Sequence, residues 1–237
     1  MQKNIETWRS PSLGRDMTLA VYGRSGTPVL ALPTRGAKHG QWEQQGMVEA
    51  IAHQLGEEYN QLFCIDAVDE ESFLNETVTA DRRVTRQTQF EAYVVEEVVP
   101  YIRQHNDIPY LIIAGSDLGG YHAVNLALKH PEEFGKVIGM SGVYDIKTFL
   151  GDHYDDDVYY NNPVDYVPNL GSSTLLQHIQ EVDFRLATFS GDSRESLSRR
   201  MSHVLRMKFV EHELDVWNLP GEKEWELWKR MLRTHII

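Results

Sequence analysis

The heptapeptide AGSDLGG, Ala114 to Gly120, places a carboxylate, Asp117, among glycines where a buried strand pattern gives way to an amphipathic helix pattern. A tight strand-to-helix turn needs small residues around its apex, because side chains there collide with neighbouring backbone. In the G-x-S-x-G form of this turn the apex carries a serine nucleophile; here it carries Asp117. The helix N-terminus and the backbone N–H of Leu118 favour an anion at that point. Ser116 would be the apex only after a one-residue slip, which puts Leu118 at a small-residue site and argues against that register. Two chemistries remain open. An aspartate nucleophile forms a covalent ester that a base-activated water must hydrolyse; a carboxylate without such a base only holds charge.

Other residues could serve the same centre. His122 lies five residues beyond Asp117, on the helix face turned away from the apex, and suits a structural role better than a base. The loop PTRGAKHGQWEQQG offers Thr34, Arg35 and His39 as oxyanion-hole or ligand-binding candidates. Arg35 and Lys38 could meet an anion or stand in solvent. The acidic run Asp155 to Asp157 lacks the spaced ligands and turn glycine of a calcium loop and reads as a structural turn or cap. No zinc spacing, phosphate loop or dinucleotide fingerprint occurs, so no metal or cofactor is expected.

These residues need a scaffold, and the chain alternates short apolar runs with helix-period segments. Core strands are predicted at PVLALP (28–33), QLFCIDA (61–67), YLIIAGS (110–116), KVIGMSG (136–142), FRLATFSG (184–191) and EHELDVW (211–217). Helices are predicted near 47–55, 87–104, 120–129, 194–207 and 224–232. The succession implies a mostly parallel twisted sheet with helices on both faces. IETWRS and DMTLAVY, joined through Pro11 and Gly14, imply an antiparallel edge hairpin. Residues 144–173 follow neither period and read as an insertion roofing the carboxyl ends of the strands, where open α/β sheets bind ligands.

The segments GGYHAVNLALKHPEEF, YDDDVYYNNPVDYVPNL, WRSPSLGRDM and EWELWKRML together resemble the esterase-D-like group of serine esterases. The resemblance covers nearly the whole chain and implies an α/β-hydrolase fold over residues 1–237 as one domain. It maps the family's nucleophile onto Asp117, its acid onto Asp192 in FSGDSRES, and its histidine, through the GHDW-like segment, onto Lys223 in GEKEW. Two of three triad positions are thus changed. Lys223 between two carboxylates would stay protonated and could not activate water, whereas it could pair with Asp117. The leading expectation is therefore a small-molecule-binding or regulatory homologue without serine-esterase chemistry, and the alternative is a hydrolase that uses Asp117 as nucleophile.

Composition bounds the rest. The chain has 237 residues, 41% of them hydrophobic, enough for one large core. A formal net charge of -12 argues against nucleic acid or an anionic membrane as partner. The lone Cys64 sits in an apolar strand pattern and cannot form an internal disulfide; its role there is packing. The first residues carry no secretory signal pattern, and the default location is the cytoplasm. Aromatic residues of the C-terminal helix region could pack on the body of the protein or on a second copy, which would make a homo-oligomer.

Overall fold

A computed structural model describes residues 2–237. The chain opens with an antiparallel hairpin, β1 (Lys3–Ser10) and β2 (Arg15–Tyr22), turned through Gly14 at φ 64°. There follow β3 (Thr27–Leu32), three short helices α1 (Gln41–Gln44), α2 (Met47–Ala50) and α3 (Ala52–Gly56), and β4 (Asn60–Ile65). Next come α4 (Ala80–Tyr93), a π-helical turn at Val94–Val98, α5 (Val99–His105), β5 (Ile112–Ser116), α6 (Leu118–Lys129) and β6 (Lys136–Met140). A 3-10 turn at Ile146–Phe149 leads to α7 (Asp156–Asn161), α8 (Pro163–Tyr166), a second 3-10 turn at Val167–Asn169 and α9 (Thr174–Glu181). The chain ends with β7 (Asp183–Phe189), α10 (Glu195–Met207), β8 (His212–Trp217) and α11 (Glu224–His235).

The sheet order is β1-β2-β4-β3-β5-β6-β7-β8; β3 to β8 are parallel, and β2 meets β4 antiparallel. Side chains alternate between the two faces, as strand geometry requires. Leu30, Leu32, Phe63, Ile65 and Ile113 pack beneath Phe90, Val94 and Val124 of α4 to α6. Val29, Ala31, Leu62, Cys64 and Ala114 pack against Trp42, Met47, Trp228 and Met231 on the other face. Each sheet face is therefore covered by helices, as predicted, and Cys64 is strand packing.

The elements depart from expectation in three places. The predicted helix at 47–55 is split at Ile51, whose φ of -114° breaks the helical path. The helix predicted from 87 begins at Ala80, because ADRRVTR buries only Val84 and so shows no apolar period. It then passes through the π-helical turn just before Pro100, whose ring and missing N–H disrupt the ordinary ladder. Residues 144–173 carry short helices rather than irregular chain, pinned to α6 by Tyr121 Oη donating to the Asn161 carbonyl at 2.7 Å and Tyr166 Oη to Asn125 Oδ1 at 3.1 Å. Asp155 caps α7, its Oδ1 accepting the Val158 N–H at 2.9 Å, which accounts for the start of the acidic run.

Candidate functional site

Asp117 stands where β5 ends and α6 begins, with φ 56° and ψ -120°, outside the conformations a side-chain-bearing residue ordinarily adopts. The glycines around it are required by contact. A Cβ on Gly115 would lie 2.2 Å from the Gly119 carbonyl oxygen, and one on Gly119 would lie 2.4 Å from that of Pro33. The turn is locked from both sides. The Asp117 N–H donates to the Met140 carbonyl at 3.0 Å, and its own carbonyl accepts from Tyr121 at 3.1 Å and Val143 at 3.3 Å. This is the strained elbow that the spacing of AGSDLGG implies, with Asp117 at its apex.

Two guanidinium groups hold the Asp117 carboxylate, which is 5% exposed. Arg35 donates from Nε to Oδ2 at 2.7 Å and from Nη2 to Oδ1 at 3.3 Å. Arg194 donates from Nη1 to Oδ1 at 3.1 Å. The other edge of Arg194 holds the fully buried Asp192 side chain, Nε to Oδ1 at 2.8 Å, and its Nη2 pairs with Glu224 at the start of α11. Arg194 thus spans Asp192 and Asp117, the gap a histidine base would bridge in a nucleophile-base-acid arrangement. Burial works against its charge, but hydrogen bonds to Asp192 and Glu224 and their negative charges carry its pKa above the usual arginine range. It cannot take a proton. Its guanidinium also lies 5.4 Å from the ring centroid of Trp228, and that of Arg35 lies 5.8 Å from Phe149.

The remaining predicted residues divide. Asp192 faces the centre through Arg194. Lys223 does not: it is the exposed N-cap residue of α11 and makes no hydrogen bond to Asp117, so the expected Asp117–Lys223 pair is corrected to Asp117 with Arg35 and Arg194. The physical reason is that Arg194, two residues beyond Asp192, fills the space between the two carboxylates with a charged fork of fixed geometry. Arg194 stood within the FSGDSRES segment, and its spacing from Asp192 was the available signal. Glu224 and Phe149 carried no sequence signal for this role.

Thr34 cannot offer its N–H to a ligand in this arrangement, because that N–H donates to Gln41 Oε1 at 2.8 Å. Leu118 remains placed for such a role, since the first N–H groups of α6 have no intrahelical acceptor. His39 turns to Asp66, with Nδ1 2.7 Å from Oδ1 and its backbone N–H 2.9 Å from the same atom. His122 is buried: its Nε2 lies 2.8 Å from Asp69 Oδ1 and its Nδ1 3.1 Å from the Gln87 amide nitrogen. A carboxylate can only accept, so Nε2 carries a proton that points at Asp69. Asp69 Oδ2 in turn accepts the Gly36 N–H at 2.9 Å, which braces the loop that carries Arg35. Among the described residues, no histidine hydrogen-bonds Asp117. Among them, too, no helix is long and apolar enough to cross a membrane.

Solved structures with the same fold include a ferulic acid esterase, with a TM-score of 0.77 and 16% identity over 98% of this chain and 95% of that one. The S-formylglutathione hydrolase of Agrobacterium tumefaciens gives a TM-score of 0.74 and 16% identity over 98% and 94% of the two chains. The S-formylglutathione hydrolase FrmB of Staphylococcus aureus gives 0.71 and 14% over 99% and 95%. No curated protein sequence matches the chain. The family described as "Putative esterase" matches residues 10–237, a span that runs from the end of β1 through the Asp117 elbow to the last helix. With the elbow and its doubly wound sheet in place over that span, the chain belongs to this esterase family of the α/β-hydrolase fold.

Proposed function

We propose that this protein keeps the esterase frame, that its Ser-His-Asp triad is replaced by Asp117, Arg194 and Asp192, and that it binds a small molecule without hydrolysing esters. One observation carries the reading: the carboxylate at the elbow is clamped by two guanidinium groups, and the one nearer Asp192 occupies the place of a base. A serine esterase needs a hydroxyl and a proton acceptor beside it. An aspartate-dependent hydrolase needs free carboxylate lone pairs and a base for the second step. N–H groups take three of the roughly four lone-pair directions of the Asp117 oxygens, and an arginine at this position stays charged. A cavity of about 440 Å³ beside the clamp, bordered by Arg35 and Arg194, is of a size suited to a small ligand.

The test is incubation of the native protein with p-nitrophenyl acetate, followed by intact-mass analysis. The expected result is turnover no faster than that of Asp117→Ala and no added mass on Asp117. Native turnover abolished by Asp117→Ala, with an ester trapped on Asp117, would establish the aspartate-nucleophile alternative instead.

A further inference from the structure

The cavity wall joins three bases, Arg35, Lys147 and Arg194, with one carboxylate, Asp145, and adds apolar surface from Phe149 and Leu197. The whole chain carries 35 acidic against 23 basic residues, so this wall reverses the balance of the molecule. The three bases are not equally engaged. Arg194 is tied to Asp192, Asp117 and Glu224, and Lys147 holds Asp165 at 2.9 and 2.8 Å. Arg35 is the outer arm of the clamp: its side chain is 49% exposed, against 15% for Arg194, and it stands beside the Phe149 ring.

We propose that the cavity binds a small organic carboxylate with a flat apolar body, and that Arg35 receives it by exchanging the Asp117 carboxylate for that of the ligand. The proposal rests on the non-hydrolytic reading above. Asp117 offers Arg35 the planar pair of oxygens that a ligand carboxylate would offer. After the exchange Asp117 keeps Arg194, so no buried charge is stranded. Phe149 is stacked on Phe73 with ring centroids 5.7 Å apart and lies under the Arg35 guanidinium, so it offers a ligand ring its apolar edge beside that guanidinium. Asp117, Asp192 and Glu224 together set three carboxylates against the two guanidinium groups, which makes Asp117 a competitor of the ligand and fixes the sign of the test.

Benzoate and its neutral counterpart benzamide are the probes, titrated calorimetrically into the native protein and two variants. Benzoate is expected to bind more tightly than benzamide. Asp117→Asn should tighten benzoate roughly tenfold, by removing the competing charge, and leave benzamide unchanged. Arg35→Gln should erase the preference for benzoate. Arg35→Lys, which retains the charge but not the fork, should weaken benzoate and guards against a folding defect in the glutamine variant. Equal binding of the two probes to the native protein, no tightening in Asp117→Asn, a preference for benzoate that survives Arg35→Gln, or no binding of benzoate to Asp117→Asn would each overturn the proposal. Ester turnover through Asp117 would instead overturn the non-hydrolytic reading while leaving the benzoate preference intact, so the two fail separately.

Discussion

Arg194 reaches Asp117 at 3.1 Å through Nη1 while its Nε stays 2.8 Å from Asp192, so one guanidinium neutralises two buried carboxylates from different loops. Removing it leaves Asp192 with Thr188 Oγ1 at 3.4 Å and the backbone N–H of residue 194 at 2.9 Å, and leaves Asp117 with Arg35 alone. Arg194→Met is therefore expected to cost about 3–5 kcal/mol, the range for losing one partner of a buried ion pair. Arg194→Lys should cost less but not be neutral, because an ammonium cannot hold both carboxylates and Glu224 in one plane. Urea unfolding midpoints of the three proteins check this ordering.

Asp69 holds two donors at once, His122 Nε2–H and the Gly36 N–H, and both it and His122 are 1% exposed. Asp69→Ala leaves both donors without their acceptor, and the cost should be about 2–4 kcal/mol. The loop consequence separates this from ordinary core damage. Gly36 follows Arg35 directly, so its amide should exchange with deuterium faster in Asp69→Ala, while the β5 amides Ile113 and Ala114 keep their protection relative to global stability.

Much of this frame is legible in the residues themselves. The parallel core strands are short apolar runs whose alternation reappears as two packed faces, and the elbow is visible because Gly115 and Gly119 are sterically obligatory. The clamp is not legible, and the reason is geometric. Arg35, Asp117 and Arg194 are separated by 82 and 77 positions, and their meeting depends on loop paths after β3 and β7 that no periodicity encodes. The GEKEW segment pointed to Lys223, one residue short of Glu224, which pairs with Arg194. At a helix start, one residue turns the side chain by about 100°, and this separates exposure from contact.

Glu91 gives the fold an acid-sensitive contact away from the elbow. Burial pushes its carboxyl up, but hydrogen bonds from His130 and Lys129 and the Lys129 charge prevail, and its pKa falls below the ordinary 4.5. A carboxylate with a depressed folded-state pKa contributes stability that is fully present above its unfolded value and lost as pH falls through the folded one. The stability gap between native protein and Glu91→Gln should accordingly be largest above about pH 5 and shrink toward pH 3. A gap that is constant over that range would show that the charge of Glu91 contributes nothing.

If Arg194 is what blocks the centre, restoring a serine and a histidine will not by itself restore esterase activity. Asp117→Ser places a hydroxyl at an elbow already shaped for a nucleophile, and Lys223→His places an imidazole at the position onto which the resemblance maps the family's base, where the native lysine faces solvent while Arg194 fills the centre. In that double variant Arg194 still binds Asp192 and Glu224, so the acid needed to orient the imidazole remains occupied. Adding Arg194→Ser releases Asp192. Groups that act as one catalytic unit give non-additive rates: Asp117→Ser alone and the double variant are expected at background on p-nitrophenyl acetate, and the triple variant at least about tenfold above both. Because loss of Arg194 also destabilises the fold, rates are compared per folded protein, at a temperature where circular dichroism shows all three variants native. A double variant as active as the triple would show that the guanidinium is no obstacle, and would return the role of base-position substitute to Lys223.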